Sequence, residues 1–343
     1  MLPGSRTFVK IFIWLSIIVI VLFLLNIMLG PVKIPIKDVI NILFTGEASR
    51  EEWATIILGF RVPKALTAVL AGIALSVSGL QMQTIFRNPL AGPYVLGISS
   101  GASLGVAIVI LGYSALLGSV MNEWAGKWMI VLASWLGSGL VLLLIMAVSV
   151  RIKDIMTILI LGMMFGSIIS AIVSAFQYFS DEAMLKSYVI WTMGSVANVS
   201  GDQIFIFSVC IIIGLVISLL SVKFLNMLLL GENYAQTLGL NIRTARLMIF
   251  LSTSILTGTV TAFCGPIGFI GIAVPHLCRI LLRTDDQKKL MYASILAGAA
   301  VMLLSDTLSL LPGKGTILPL NTVTAIIGIP IVIYIIMRNH KTS

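Results

Sequence analysis

A pattern of glycines around a serine, Gly97-Ile-Ser-Ser-Gly101, is the first candidate for chemistry in this sequence. The same spacing marks the nucleophile of many serine hydrolases, where it lies on a sharp turn between a strand and a helix. Here it begins an apolar run, and only His276 and His340 are available as a base. No acidic residue lies in a matching context. We therefore interpret the pattern as a site of close helix packing and not as a catalytic centre.

A second pattern, Gly313-Lys-Gly-Thr316, resembles the end of a phosphate-binding loop. Such a loop also needs a glycine about five residues earlier, so that its backbone can wrap around the phosphates. Leu308 occupies that position. The sequence therefore predicts that this chain binds no nucleotide itself.

Possible metal ligands in the sequence are few and scattered. His276 follows a proline in an apolar run, and a lone histidine in that setting is more often a hydrogen-bonded structural residue than a haem ligand. Cys210, Cys264 and Cys278 also lie in apolar runs and form no closely spaced pair. We expect buried cysteines without a disulfide or a zinc site. The sequence thus predicts no metal held by this chain.

Asp306 is the exception to a nearly charge-free set of apolar runs. Ionisable residues inside membrane segments often mark proton relays or ion-coupled carriers. A single acid that can pair with Lys314 fits a structural role better. The energy for any transport is therefore expected to come from a separate protein.

The composition of the chain is that of an integral membrane protein. Its 343 residues are 59% hydrophobic and 10% charged, with a mean hydropathy of +1.10, far more apolar than a soluble domain. A spanning helix needs about 20 apolar residues, and irregular backbone is not tolerated in lipid. The charge-free runs predict ten membrane helices, so we expect an all-α polytopic protein with a single domain over 1–343.

The formal charge of +9 follows the positive-inside rule. With the N-terminus inside, ten spans put 14 of the 22 basic residues on the inner side and 9 of the 13 acidic residues on the outer side. The first apolar run is long for a signal peptide and lacks a small-residue cleavage site, so we expect a retained helix. Both termini are then cytoplasmic, and the charge gives no reason to invoke nucleic acid.

Prolines and glycines interrupt the apolar runs at three places. The stretch Arg87–Gly105 contains Pro89, Pro93 and four glycines, which favours a shaped loop over a simple turn. Tyr188–Ser195 is too short to cross a membrane and is expected to be a re-entrant half-helix that lines a path. Cys264–His276 predicts a broken helix.

A faint repeat relates the two halves of the chain. Five predicted helices separate the copies, so the copies would face opposite ways across the membrane, as in the inverted repeats of many transporters. The two shaped loops would then be pseudo-symmetric partners. Three features recur at a constant offset of 186 residues, namely Ala68–Gly72 with Ser254–Gly258, Gly79 with Gly265, and Pro89 with Pro275.

Two further patterns concern packing and partners. Gly101 with Gly105, and Gly162 with Gly166, are glycine pairs that predict close helix contacts. The longest inner hydrophilic stretch, Leu230–Arg246, is expected to form two short helices outside the bilayer. Its apolar residues favour a partner protein, and an ordinary solvated loop is the alternative.

Several motifs, in order along the chain, resemble the permease subunits of the iron-siderophore, haem and cobalamin family of ATP-binding-cassette importers. They cover nearly the whole chain, which is identified as a member of that family. The motifs are Arg61-Val-Pro-Lys64, Gln83–Gly101, Gly231–Asn241, Gly265–His276, Ser305-Asp306, and Val323–Gly328 with Pro330.

The resemblance implies the type II importer fold, with ten helices per subunit in the inner membrane. Such a subunit works as a homodimer with two cytoplasmic ATPase subunits and an external substrate-binding protein. It is not an enzyme and binds no cofactor, because ATP and Mg are used by the ATPase subunits. The implied cargo is a metal chelate, with an iron-siderophore ahead of haem or cobalamin. An ion-coupled carrier and a membrane enzyme are more distant alternatives.

The resemblance also implies a coupling segment, 226–246, that docks on an ATPase subunit. Burial of an amphipathic surface at a protein interface suits that role. The residues that match the motif are Gly231, Glu232, Ala235, Leu238, Gly239, Leu240 and Asn241.

A cytoplasmic gate and an external docking site follow from the same resemblance. One gate element matches Asn88 and Leu90, and the other matches Ile155 and Met156, which are apolar where some relatives have hydroxyls. Basic residues are expected to receive acidic groups of the binding protein and to set its register. Leu310 occupies the position at which many relatives carry a docking arginine. Either Lys314 substitutes for that arginine, or docking depends on Arg61 and Lys64 alone. The docking residues are Arg61, Lys64 and Lys314.

Overall fold

The computed structural model describes residues 5–46, 48–112, 123–152, 154–199, 201–311 and 317–339. Every regular element within these ranges is a helix. We number them in chain order as α1 (Ser5–Met28), α2 (Ile36–Phe44), α3 (Glu51–Ile85), α4 (Ile98–Ile110), α5 (Glu123–Arg151), α6 (Ile155–Tyr178), α7 (Glu182–Thr192), α8 (Gly201–Leu220), α9 (Val222–Leu229), α10 (Glu232–Thr237), α11 (Ile242–Cys264), α12 (Ile270–Leu282), α13 (Gln287–Ser309) and α14 (Leu320–Asn339).

The predicted membrane segments all appear as helices. In the described part of the chain, α1, α3, α5, α6, α8, α11 and α13 are long and apolar enough to cross a membrane, and α4, α12 and α14 are shorter apolar helices. The prediction of an all-α protein with about ten membrane helices is therefore confirmed. In α3 and α11, 78% of the apolar window is buried, against none in α1, so α3 and α11 form the interior of the bundle.

The start of α3 differs from the prediction. Proline is well tolerated at the first position of a helix, so Pro63 predicts a start near Arg61, whereas the helix begins at Glu51. Two acidic residues in the first turn favour an earlier start because they complement the helix dipole. A π-helical turn over Thr55–Arg61 widens the backbone just before Pro63, whose missing N–H interrupts the regular hydrogen bonds. In the segment before it, the short helix α2 buries Val39 and Ile42 on one face.

Small residues allow the helices to cross at backbone contact. A methyl group on Gly79 of α3 would overlap the carbonyl of Gly271 in α12. Gly101 of α4 meets Gly137 of α5 in the same way, and Gly162 of α6 packs on the residues just before α4. The glycine patterns therefore mark close helix packing, as the sequence predicted.

The predicted break in the second half of the chain is confirmed. Helix α11 ends at Cys264, and α12 begins at Ile270. The φ angle is 74° at Gly265 and 66° at Phe269, a region that a side chain normally avoids. Phe269 is held there against Gly328 of α14, where a methyl group would overlap its Cβ.

The faint repeat places matched residues in different local structures. Gly79 lies inside α3, whereas Gly265 follows the end of α11. Pro89 lies in a loop, whereas Pro275 lies inside α12. The repeat pattern therefore does not determine where each helix breaks.

Two short helices lie between α8 and α11, but one is not where the sequence placed it. Helix α10 falls within the predicted stretch, whereas α9 ends before Leu230. The φ angles of 111° at Gly231 and 89° at Gly239 produce the turns on either side of α10. Asn241 then caps α11, because its side chain accepts a hydrogen bond of 3.2 Å from the N–H of Thr244.

Candidate functional site

The loop Arg87–Gly97 connects α3 to α4 and packs along α12. The Nε2 atom of His276 lies 3.0 Å from the carbonyl oxygen of Pro89. The hydroxyl of Tyr94 accepts a hydrogen bond of 3.2 Å from the N–H of Ile267, in the break before α12. Both ends of the loop are thus fixed to one neighbouring segment. His276 is a hydrogen-bonded structural residue, as the sequence predicted.

The last turn of α3 continues this contact through Gln83, which is 3% exposed. Its Nε2 donates a hydrogen bond of 3.1 Å to the carbonyl of Ile272, and its Oε1 accepts one from Nη1 of Arg279. Both partners lie on α12, so the end of α3, the loop and α12 form one unit. Sequence analysis missed the role of Arg279, although a cation in an apolar run could have indicated a buried polar partner.

The first predicted gate element lies at the start of the loop. The Oδ1 atom of Asn88 accepts a hydrogen bond of 2.9 Å from the N–H of Leu90, which closes a local turn. The turn leaves the Leu90 side chain 41% exposed. An apolar side chain presented on a fixed turn suits a constriction in a transport path.

The second predicted gate element lies at the start of α6. Asp154 caps this helix, because its Oδ2 accepts hydrogen bonds of 2.5 Å from the hydroxyl and 2.8 Å from the N–H of Thr157. The bond from the Thr157 hydroxyl has the largest effect on the pKa of the Asp154 carboxyl, followed by the bond from the Thr157 N–H, and both hold this pKa below its usual range. The cap is therefore charged at neutral pH. Met156 is 41% exposed and Ile155 is half-buried.

The coupling segment has a buried side and an exposed side. Ala235 is fully buried and Leu240 is 8% exposed, so both residues anchor the segment to its own chain. Leu230, Tyr234 and Leu238 are 62%, 63% and 53% exposed. We call these three residues the apolar edge. Sequence analysis missed the first two, because only Tyr234 lies within α10, whereas Leu230 and Leu238 lie on either side of it.

A bidentate ion pair holds α10 in place. Both carboxylate oxygens of Glu232 lie 2.8 Å from Nη2 of Arg246 in α11, and Nε adds a bond of 3.2 Å. Nη1 of Arg246 also donates to the carbonyl of Ile152, at 3.3 Å, just before the second gate element. Glu232 therefore positions the coupling segment within the chain.

The first predicted docking cation, Arg61, is not a free surface charge. It is 7% exposed, and Nη1 donates to the carbonyls of Ile27 and Met28 at 2.9 and 3.0 Å. Nη2 donates to the carbonyl of Val32. The expectation of a guanidinium offered to an external protein does not hold in this structure, because carbonyls at the end of α1 and in the residues after it accept its hydrogen bonds.

The second docking cation, Lys64, is also engaged. Its Nζ lies 2.8 Å from a carboxylate oxygen of Asp306, with the two side chains 20% and 4% exposed. Asp306 is therefore paired within the chain, with Lys64 as its partner in place of the predicted Lys314. Lys314 lies outside the described residues.

A cavity of about 730 Å³ lies beside these charges. Ends of α1, α3, α5, α8, α11, α13 and α14 form its walls together with the residues that follow α7. Lys127 and Gln203 contribute polar groups, and Trp191 and Phe263 contribute aromatic surface. The segment Tyr188–Ser195, expected as a half-helix that lines a path, contributes Trp191, Gly194 and Ser195 to the cavity lining, and its helix α7 begins earlier than expected, at Glu182.

Asn321, at the start of α14, joins three segments around this cavity. Its Nδ2 donates to the carbonyls of Thr192 and Pro266 at 3.0 and 2.7 Å. Its Oδ1 accepts a bond of 2.9 Å from the N–H of Gly268. The end of α7 is thereby fixed to the break between α11 and α12. Sequence analysis missed Asn321, because one amide before an apolar run is not a motif.

Comparison with known proteins connects this arrangement to a family. Residues 18–338 match the FecCD transport family. The chain belongs to that family. Among FecCD relatives, the hemin transport system permease HmuU of Yersinia pestis is 32% identical over 338 residues, covering 96% of this chain and 95% of that protein. The vitamin B12 import system permease BtuC of Vibrio cholerae is 35% identical over 286 residues, covering 82% of each.

A solved structure supports the FecCD assignment at the level of the fold. It is described as an ABC transporter of the metal-chelate type in an inward-facing conformation, and it matches with a TM-score of 0.82. The identity is 29%, and the match covers 96% of this chain and 99% of that one. As a FecCD protein, the chain is a multi-pass inner-membrane permease subunit and not an enzyme. Membership implies ATPase partners and a dimeric permease.

Proposed function

We propose that this chain forms the membrane path of an ATP-driven importer for a metal chelate. Two copies enclose the path, and an ATPase subunit docks on the coupling segment of each copy. An external binding protein delivers the chelate at the end of the bundle that carries Arg61. The chain supplies the path and the docking surfaces, whereas the partner subunits use ATP and Mg.

The observation that carries this proposal is the apolar edge in and beside α10. Burial of Ala235 and the ion pair of Glu232 fix α10 to the chain, yet Leu230, Tyr234 and Leu238 remain more than half exposed. Tyr234 lies on the short helix α10, and Leu230 and Leu238 lie just before and just after it, between two spans and not on a lipid-facing span. Apolar and aromatic side chains on a fixed surface of this kind are typical of a protein interface.

The charge distribution supports an orientation for this importer. Helices α9 and α10 lie at the same end of the bundle as Arg87, Arg243 and Lys288, and the positive-inside rule favours a cytoplasmic location for that end. Both termini then lie in the cytoplasm. The cavity beside Arg61 and Lys64 faces the periplasm or cell exterior. There Arg61 and Lys64 are engaged within the chain, so Lys127 of the cavity wall, which is exposed, with Lys314 as a further candidate, suits the acidic groups of a docking protein.

The cargo class is drawn from the relatives. HmuU is named for hemin and BtuC for vitamin B12, and the solved structure is described as of the metal-chelate type. We place an iron-siderophore first and haem or cobalamin next. Measuring which of these chelates the external binding protein retains at equilibrium would separate the three.

The docking role of the apolar edge is tested by co-purification. Leu238→Asp and Tyr234→Asp should release the ATPase subunits from the solubilised permease, because a charge would be buried at the interface. Both variants should keep the elution volume and melting temperature of the unmodified permease, since the two side chains are exposed. Leu281→Asp is the matched control, an exposed leucine at the end of α12. ATPase subunits that bind the Leu238 variant as well as this control would contradict the proposal.

A further inference from the structure

Arg87 connects the coupling segment to the first gate element. Its Nη2 donates a hydrogen bond of 2.9 Å to the carbonyl oxygen of Leu228, in the last turn of α9. The same oxygen accepts the N–H of Gly231 at 3.1 Å. Carbonyls in the last turn of a helix lack helical partners and carry partial negative charge, which favours a guanidinium. The residue after Arg87 is Asn88, the start of the gate element.

The contact between Arg87 and the coupling segment is tight. A methyl group on Gly231 would lie 3.0 Å from Nη2 of Arg87. Gly231 also has a φ of 111°, which other residues rarely adopt. A larger residue here would be strained and would displace the guanidinium.

The backbone of Arg87 indicates that its side chain has a use. The end of α3 is a Schellman motif, with bonds of 3.2 Å from Asn88 N–H to Gln83 carbonyl and 3.3 Å from Arg87 N–H to Thr84 carbonyl. Glycine usually occupies the left-handed position of this motif, but Arg87 does so here with a φ of 47°. Glycine would fit the turn without strain, so the contact with α9 is what arginine adds.

A second link runs beside the first. The Oδ1 atom of Asn226 in α9 accepts a bond of 3.0 Å from the N–H of Gln287. The Oε1 atom of Gln287 accepts a bond of 3.1 Å from the hydroxyl of Thr84. Thr84 lies in the same last turn of α3 that leads into Arg87. Both links therefore connect α9 to the start of the Arg87–Gly97 loop.

We propose that Arg87 is a positioning residue that transmits movement of the ATPase-docked coupling segment to Asn88 and Leu90. This inference rests on the proposed function, because it requires an ATPase subunit on the apolar edge. A shift of α9 moves the Leu228 carbonyl, and the guanidinium carries that shift to the gate element. Arg87 acts through the loop and touches neither the cargo nor the ATP.

Arg283 provides a matched control for the test. It is also an arginine with a φ of 47° directly after a helix, in this case α12, and it is exposed. Within the described residues its guanidinium makes no hydrogen bond or ion pair. Replacing either arginine by glycine relieves the same backbone strain, but only Arg87→Gly removes the link to Leu228.

The experiment uses the full complex of permease and ATPase subunits in proteoliposomes. Leu90→Cys is the reporter, a water-soluble maleimide is the probe, and the complex without the added cysteine gives the background. The measured quantity is the ratio of labelling rates with and without ATP. We expect ATP to change the labelling rate about tenfold in the reporter complex that retains Arg87 and in the Arg283→Gly variant. The change should fall well below tenfold in Arg87→Gly, where only the link through Thr84 and Gln287 remains, and should fall less in Arg87→Lys, which keeps a donor.

The outcomes separate this inference from the proposed function. Arg87→Gly should retain its ATPase subunits and basal ATP hydrolysis, because the apolar edge is unaltered. An undiminished response to ATP in Arg87→Gly would overturn the inference, and so would release of the ATPase subunits, which would make Arg87 a docking residue. Failure of the unmodified permease to bind ATPase subunits would refute the proposed function, and this inference with it.

Discussion

The Nζ atom of Lys64 lies 2.8 Å from a carboxylate oxygen of Asp306. The same oxygen accepts a hydrogen bond of 2.6 Å from Nδ2 of Asn26, so α1, α3 and α13 meet at one buried carboxylate. An ion-coupled carrier keeps such an acid available to protons. This acid is instead held by a cation and an amide, which fits a permease whose energy comes from partner ATPases.

Removing one partner of the Lys64–Asp306 pair should destabilise the fold. Asp306→Asn and Lys64→Met each leave one largely buried charge unpaired, at a cost of about 3 kcal/mol. The double variant should lose less than the sum of the two, because no charge is left without a partner. Thermal unfolding in detergent measures this coupling, and strictly additive effects would contradict the pairing.

The crossing of α3 and α12 should not tolerate a side chain at Gly79. A methyl group would overlap the backbone of Gly271, so the helices must separate and the Arg87–Gly97 loop must shift. Gly79→Ala should lower stability by about 2 kcal/mol or more. Gly139→Ala is the control, because no atom lies within 4 Å of its added methyl group, and alanine favours a helix by about 1 kcal/mol. Equal melting temperatures for the two variants would argue against this crossing.

Asn321 should hold the segments around the cavity in a fixed arrangement. Asn321→Leu leaves the carbonyls of Thr192 and Pro266 and the N–H of Gly268 without their partner, and each lost partner costs about 1–3 kcal/mol when buried. Asn321→Asp should be no better, because its carboxylate faces two carbonyls. Amide hydrogen exchange at Gly268 should rise in Asn321→Leu, which removes the acceptor, more than in Asn321→Asp, whose carboxylate still accepts this N–H. Unchanged protection would mean that Asn321 does not fix the break.

Arg246 should set the position of the coupling segment through its geometry as well as its charge. Arg246→Lys keeps the charge but cannot make the two-pronged contact with Glu232 or reach Ile152 at the same time. We expect faster hydrogen exchange in α10 and about tenfold weaker binding of ATPase subunits. Arg243→Lys, an exposed arginine in the same helix, is the control. Indistinguishable affinities would show that the edge does not need this pair.

The sequence predicted the elements of this fold well because the membrane restricts them. A charge-free run has to become a helix, so the ten segments and the break after Cys264 could be predicted from composition and glycine positions. Residues such as Gly101 and Gly162 also indicated where helices pack closely, since only small residues permit that contact. Segment boundaries were less certain, as the early start of α3 shows.

The pairing of side chains could not be predicted, because it depends on distant parts of the chain. The sequence around Lys64 and Arg61 does not show whether these cations face solvent or contact α13 and α1. Ala235 and Leu238 are both apolar, and only the position of α10 shows that one is buried and the other exposed. The family resemblance named the coupling residues, whereas the structure divides them into anchors and an exposed edge.

The most direct test of the account is chelate uptake by proteoliposomes that contain the permease and its ATPase subunits. Labelled iron-siderophore, haemin and cyanocobalamin are supplied on the side of Arg61 with the external binding protein, and ATP is supplied on the side of Arg87. We expect accumulation of one of these chelates with ATP and none with a proton gradient alone. Uptake that follows a proton gradient without ATP or ATPase subunits would contradict it.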